Sequence, residues 1–477
     1  MTSHRTFLFA SLFVLGCGQT VREVDPPEPP PTATTCPADP LDLTFGTPQS
    51  GTILAGLSVA VDASCNLLLA GTTQGPIDFG GGPIGAAAEP FAFVAKLDPQ
   101  GKHLWSLVLP PGAVFEGKDV LAVDGQGNIV VAGTQNADVD LGGGPLGGEY
   151  ERAEHPFLLG LDANGSHVFS KRLAGNLPDD VGYQGGFYRT VEGTAFDPEG
   201  NFLIAGKFVG EVDLGGVTVT STPFVIEGFP TNYKPDVFLA KYDAKGTLLW
   251  ARSYGTESID YGVSIDVTPS GEVYFLYASL GSSDGITEPF GIRLKKYASN
   301  GDIVWEKIYE NSTFTNFGGI LAVAEDGGVV LGGEGELVWG GIGAFAPAFV
   351  ARLDANGEPV LGAGITGQNL AVVTAVAPDT NDGIRAVGWF DGTLLVHGQS
   401  LADASGGYDG FDMHVEWDDK ANTVSAFDDA GDEVALAMAR SVDGDRVIVG
   451  LEGPITQDNE FPGPLSRGTR IFLHRRR

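Results

Sequence analysis

In 477 residues the chain carries 61 acidic against 28 basic side chains, a formal charge of −33, and 70 glycines. That charge repels phosphate backbones and excludes nucleic acid as a partner. The glycines follow no triplet period, which excludes collagen; with abundant Val, Leu and Phe they point to short strands joined by tight turns. At this length one large all-β unit is as admissible as about three average domains.

The chain opens on MTSHRT and then FLFASLFVL (7–15), an apolar run of signal-peptide length, too short to cross a bilayer. Val14-Leu15-Gly16-Cys17 follows. This resembles a bacterial lipobox, which implies a signal peptide over 1–16, cleavage before Cys17 and diacylglycerol on the Cys17 sulfur. Gly18, in place of Asp, fits sorting to the outer membrane, facing the periplasm or the cell surface. Residues 17–40 read as the lipidated cysteine and a Pro-rich tether, since proline favours an extended, semi-rigid spacer. The membrane contact expected is the N-terminal lipid alone.

From residue 41 the sequence repeats. LAVDGQGNIVVAG (121–133) recurs as VAVDASCNLLLAG (59–71), TAFDPEGNFLIAG (194–206) and LAVAEDGGVVLGG (321–333). Looser copies are IDVTPSGEVYFLY (265–277), MARSVDGDRVIVG (438–450) and the longer-turned AVAPDTNDGIRAVG (375–388). A second element follows the first six copies in turn: VAKLDPQGKHLW (94–105), LGLDANGSHVF (159–169), LAKYDAKGTLLW (239–250), LKKYASNGDIVW (294–305), VARLDANGEPVL (350–361) and HVEWDDKANTVS (414–425). Both elements read as strand–turn–strand, with Asp accepting from its own turn's amides and Gly supplying the positive φ that ends the turn. Two hairpins make a four-stranded unit of roughly sixty residues, the anatomy of a propeller blade.

The last unit ends at TRIFLHRRR (469–477), one strand short. LDLTFGT (41–47) supplies the likeness of the missing strand, as Thr44-Phe45-Gly46-Thr47 matches Ser253-Tyr254-Gly255-Thr256. The expected fold is all-β: a seven-bladed β-propeller over 41–477, closed by the N-terminal strand so that its edges are hidden. Blade cores are expected at about 52–109, 117–174, 188–254, 259–310, 317–366, 369–428 and 432–477 with 41–47. EVALAMARSV (433–442) would be helical by propensity, but the repeat register makes it a strand. The pairing of a VDxxGNxxVAGT-like segment with FVAKLDxxGxxLW resembles the bacterial SBBP β-propeller repeat of secreted and surface-anchored proteins. The repeat has no catalytic residues of its own, so the resemblance implies architecture and location but no activity.

Several motif matches yield to this frame. The segments 80–85 and 142–147 satisfy GxGxxG, yet strands and a Pro-Gly turn follow where a dinucleotide site needs a helix. Ser283 sits in GxSxG between strands, without the strand-to-helix elbow, and neither His397 nor His414 is placed beside it. The histidines form no close pair for zinc. Asp443/Asp445 and Asp379/Asn381/Asp382 are the best Ca2+ candidates, but neither completes a calcium loop, so no cofactor is assigned.

With Cys17 committed to lipid, Cys36 and Cys65 remain as a pair in an oxidising compartment, on one face of the disc. The opposite face collects the irregular loops, where ligands tend to be held. There Tyr183, Tyr188, Tyr254, Tyr261 and Phe317 are expected to cluster with Asp180, Glu257 and Asp260. The function this supports is a monomeric, lipid-anchored, non-catalytic module binding a glycan or protein of the cell envelope. The alternative is a glycan-acting hydrolase or lyase using loop carboxylates.

Overall fold

The computed structural model describes residues 35–37, 39–46, 52–85, 90–147, 154–176, 189–224, 232–281, 289–310, 312–339, 342–344, 348–368, 370–379, 383–396, 398–416, 422–427, 432–453 and 469–476. Among them every regular element is a strand, and neighbouring strands in the sheets run antiparallel. The first sheet holds Thr52–Val61, Leu67–Gln74, Pro90–Leu97 and His103–Val108. The second holds Ala113–Val114 and Leu121–Val123 on one side of Ile129–Gln135, then His155–Leu161 and His167–Arg172. Arg189–Phe196, Phe202–Phe208, Asp236–Tyr242 and Leu248–Tyr254 make the third; Asp260–Val267, Val273–Ser279, Gly291–Tyr297 and Ile303–Glu310 make the fourth.

The next two runs are fused in one nine-stranded sheet. The fifth run is Thr313–Val323, Val329–Trp339, Ala348–Leu353 and Pro359–Gly367; the sixth is Leu370–Pro378, Ile384–Val396, Gln399–Val415 and Thr423–Phe427. The long hairpin of the sixth run overshoots its own sheet, and Leu394–Val396 pairs with Ile365–Gly367 at the edge of the fifth. In the last sheet Leu41–Phe45 pairs with Arg470–Arg476, followed by Arg446–Glu452 and Glu433–Arg440. The alanine-rich segment is therefore a strand: Val434 and Ala435 are fully buried, and packing overrides local propensity.

The turns follow from their aspartates. In turn 124–128 the Asp124 Oδ1 accepts from the amides of Gln126 (2.9 Å) and Asn128 (2.8 Å), and Gly127 takes φ 85°. Asp62, Asp98, Asp162, Asp197, Asp243 and Asp354 cap their turns in the same way. The GxGxxG segments are a variant of this device. Asp78 accepts from Gly80 and Gly82 in one tight hairpin, and Asp140 from Gly142 and Gly144 in the other.

Sheets are joined by a contact that recurs in register. The outer-strand rings of Trp105, Phe169, Trp250 and Trp305 lie over Gly165, Gly246, Gly301 and Gly357 in the outer turn of the following sheet. A Cβ on Gly301 would stand 2.8 Å from Trp250, and one on Gly246 2.8 Å from Phe169. Beneath the rings, Lys96 pairs with Asp62 (2.8 Å) and donates to the Ala163 carbonyl of the next sheet, while Lys241 pairs with Asp197 (2.6 Å) and donates to that of Ser299. Arg475 of the last sheet donates to the Pro99 carbonyl of the first (2.6 Å), and Leu43 lies against Gly101. Inner strands also adjoin: Thr52–Val61 lies against Leu121–Val123 on one side and Glu433–Arg440 on the other.

Cys36 and Cys65 form a disulfide, Cα atoms 5.4 Å apart, and the Cys36 amide donates to the Asp443 carboxylate. This ties the segment before Leu41–Phe45 to the first turn of the first sheet and the first turn of the last. A loop with sequence separation 29 is closed; the double change Cys36→Ser with Cys65→Ser is expected to lower unfolding free energy by roughly 3–4 kcal/mol, read by urea titration. A pair of alanine substitutions separates φ from packing. Gly144 has φ 99° and nothing within 4 Å of a Cβ, so Gly144→Ala should cost about 1–2 kcal/mol. Gly301→Ala, with φ 86° and the Trp250 ring in the way, should cost about 1–3 kcal/mol more by the same titration.

Candidate functional site

Of the aromatic and acidic residues expected to cluster, Asp180, Tyr183 and Tyr188 lie outside the described residues, as do Ser283 and His397. Phe317 falls within Thr313–Val323, its side chain outside the described set. Tyr254 is half-buried between the third and fourth sheets. Its hydroxyl accepts from Tyr297 (2.8 Å), its ring stacks on Tyr277, and the Lys295 ammonium sits 4.1 Å above it. Tyr261 packs on the other face of the fourth sheet, with Tyr274 and Tyr309. The sheet thus separates the two tyrosines. Glu257 is exposed and Asp260 fully buried.

Asp260 belongs to a pair. Its Oδ2 accepts from the amide (2.8 Å) and hydroxyl (3.2 Å) of Thr256, and Asp236 accepts the same two bonds from Thr222. The Asp236 carboxyl lies directly on Gly255, where a Cβ would overlap it. Each aspartate keeps one buried oxygen without a hydrogen bond. Burial pushes Asp236 up to about 7, with the Asp260 charge adding to it, and burial pushes Asp260 up to about 6. Two such carboxyls could exchange protons, but at 3% and 0% exposure neither touches solvent where a substrate would lie.

A concave site lies elsewhere among the described residues. A cavity of about 580 Å³ opens among the first strands of the second to last sheets, toward the turn 441–445. Its walls are apolar at Leu121, Ile265, Ile320, Leu321, Val376 and Met438. Asp119 and Asp266 reach into it, with Glu325, Arg440 and Asp443 at the turn end. Asp119 is positioned by its backbone: its amide donates to the Glu192 carbonyl (3.1 Å), and its carbonyl accepts from Thr194 Oγ1 (2.9 Å). Asp266 accepts from the amides of Val267 (2.7 Å) and Val323 (2.8 Å), which fixes its carboxylate across two sheets. Burial pushes Asp266 up to about 6 against those amides, with Asp119 adding to the rise. Asp119 is itself exposed at the cavity surface, and burial pulls the neighbouring Lys118 ammonium down to about 8.

Of the Ca2+ candidates, Asp379 is taken by Arg385 and by His414 Nδ1 (2.7 Å), and Asp443 by the Cys36 amide. Asn381 and Asp382 lie outside the described residues. Asp119 precedes the repeat motif, and Asp266 lies within a loose copy of it at a position that makes no turn, so neither stands out as a site residue. The available signal was positional: Asp266 interrupts a register that the other first strands fill with alanine.

No family model matches the chain, and no curated protein matches it in sequence. Among solved structures it is similar to the polysaccharide lyase Uly1, with 11% identity over 88% of this chain and 90% of that one and a TM-score of 0.46. It is similar to a protein of unknown function from Dyadobacter fermentans, with 12% identity, coverage of 92% and 98%, and a TM-score of 0.42. A periplasmic gluconolactonase from Pseudomonas aeruginosa is similar at 11% identity, coverage of 81% and 95%, and a TM-score of 0.37. Likeness at this level adds nothing to what the strand pairing itself shows.

The Asp236–Asp260 pair has a measurable consequence. Both carboxyls bind protons more tightly folded than unfolded, where the value is 3.8, so their contribution to stability falls as pH rises from about 4 through about 7. Asp236→Asn keeps an acceptor for Thr222 and removes the charge. It is expected to stabilise the protein at pH 8 on the order of 2 kcal/mol and to flatten the pH 4–7 slope in urea titrations. An unchanged slope would refute the assignment.

Proposed function

We propose that the chain is a lipid-anchored cell-envelope β-propeller of seven blades, acting as a non-catalytic binding module for an envelope glycan or protein. The anchor reading rests on FLFASLFVL followed by Val14-Leu15-Gly16-Cys17. Closure is supported by the pairing of Leu41–Phe45 with Arg470–Arg476. It is supported again by Arg475 on Pro99 and Leu43 on Gly101, which repeat between last and first sheets the contacts of Lys96 on Ala163 and Trp105 on Gly165.

One observation carries the binding reading: the inner strands surround a cavity that offers apolar side chains beside the carboxylates of Asp119 and Asp266, where a ligand can be held without being transformed. A hydrolase or lyase is the second reading, and Asp236 with Asp260 is the observation in its favour. Their burial beneath Gly255 and Thr256 weighs against it.

The test uses the full chain and its Cys17→Ser variant. Radiolabelled palmitate should enter the first and not the second. The Cys17→Ser protein, probed on a glycan array and in an envelope pull-down, should retain a partner that Asp119→Asn weakens by about tenfold. Release of oligosaccharides from a polysaccharide panel, abolished by Asp260→Asn, would replace this reading with the catalytic one.

A further inference from the structure

The repeat register isolates one residue inside the cavity. Ala60, Ala122, Ala195, Ala322, Ala377 and Ala439 occupy one position of the first strands, and Asp266 stands alone at that position in the fourth sheet. Alanine serves the fold there. A half-buried carboxylate at that position is not something the repeat requires. The same cavity receives Asp119, whose carboxylate takes no hydrogen bond from any described residue. Each Asp266 oxygen accepts a single amide, so each keeps a lone pair for a further donor.

Charge and wall chemistry narrow the ligand. Lys118 lies within electrostatic reach of Asp119, Lys207 is closed onto Glu192 (3.0 Å), and Arg440 stands at the turn end beside Glu325 and Asp443. The two inward carboxylates are thus under-compensated. A metal ion is poorly served, because no three His, Cys, Asp or Glu side chains converge as ligands among the described residues. Leu121, Ile265 and Met438 beside two acceptors, in a lining that is otherwise largely polar, suit an organic cation whose short carbon skeleton those side chains cover.

We propose that the cavity binds a protonated primary amine, its ammonium held between Asp119 and Asp266 and its carbon skeleton against Leu121, Ile265 and Met438. An ammonium offers three N–H donors, matching the free acceptors of the two carboxylates. This deepens the binding-module reading and rests on it. The amine can belong to an alkyl diamine or to an amino sugar, and the experiment separates these sources.

The full chain is titrated by calorimetry with 1,5-diaminopentane, D-glucosamine, D-glucose and calcium chloride. At least one amine should bind with Kd at or below about 1 mM, while glucose and calcium do not. Asp266→Ala installs the residue of the other first strands, so its melting temperature should equal or exceed the wild type while amine affinity falls by about tenfold or more. Asp119→Asn should weaken the amine likewise, giving a second measure if Asp266→Ala fails to fold. Failure of both amines, equal binding of glucose and glucosamine, calcium binding at the site, or undiminished affinity in the folded variants would each overturn the proposal. If the envelope pull-down still yields a partner in that case, the binding module stands and the amine site alone falls; if it does not, both fall.

Discussion

A flat ring laid over a glycine of the next sheet is the contact that sets the offset of the first five strand runs. A four-stranded sheet with apolar residues on both faces cannot bury them alone, so it must meet its neighbours at a fixed offset. Trp250 over Gly301 and Trp305 over Gly357 set that offset at the outer edge. The Lys241 bond to Ser299 and the Trp305 Nε1 bond to the Ala355 carbonyl (3.2 Å) lock it with directional contacts. With the outer edges held close, the first strands are left facing one another, and the space among them is the cavity that Asp119 and Asp266 enter.

Turn construction also accounts for a recurring set of aspartates. An aspartate opening a turn accepts two backbone amides through one oxygen, and in Asp62 and Asp197 it also neutralises a buried lysine. Burial alone would raise these two carboxyls; hydrogen bonds from Lys96 and Asn66, or from Lys241 and Asn201, hold them below the ordinary carboxylate range. These aspartates are a by-product of turn construction, gathered at the turn-bearing ends of the sheets.

What could be read from the sequence was what is local and repeated. Asp124 and Gly127 declare their turn within five residues, and the strand pairs on either side declare themselves by a spacing that all but the longer-turned copy at 375–388 share. The direction a loop-end ring takes is not local. Tyr254 and Tyr261 belong to strands on either side of one loop, and a register shift between Tyr261 and Ser264 sends the second ring to the far face of the fourth sheet. The fused fifth and sixth runs were hidden for a related reason: the pairing of Leu394–Val396 with Ile365–Gly367 rewards a hairpin for leaving its own sheet. Asp266 was visible throughout, but only to the question of which residue departs from the repeat.

The disulfide also determines how the molecule carries force. Tension on the chain upstream of Cys36 reaches Cys65 through a covalent bond and enters the first sheet there. The strand Leu41–Phe45, held to Arg470–Arg476 by backbone pairing and by the Asp42 carboxylate on His474 and Arg476, is bypassed and is not peeled from the last sheet. A body pulled from its N-terminal side, by shear flow or by a receding surface, is thus gripped at the first turn of the first sheet, while the pairing of its first strand with its last stays unloaded.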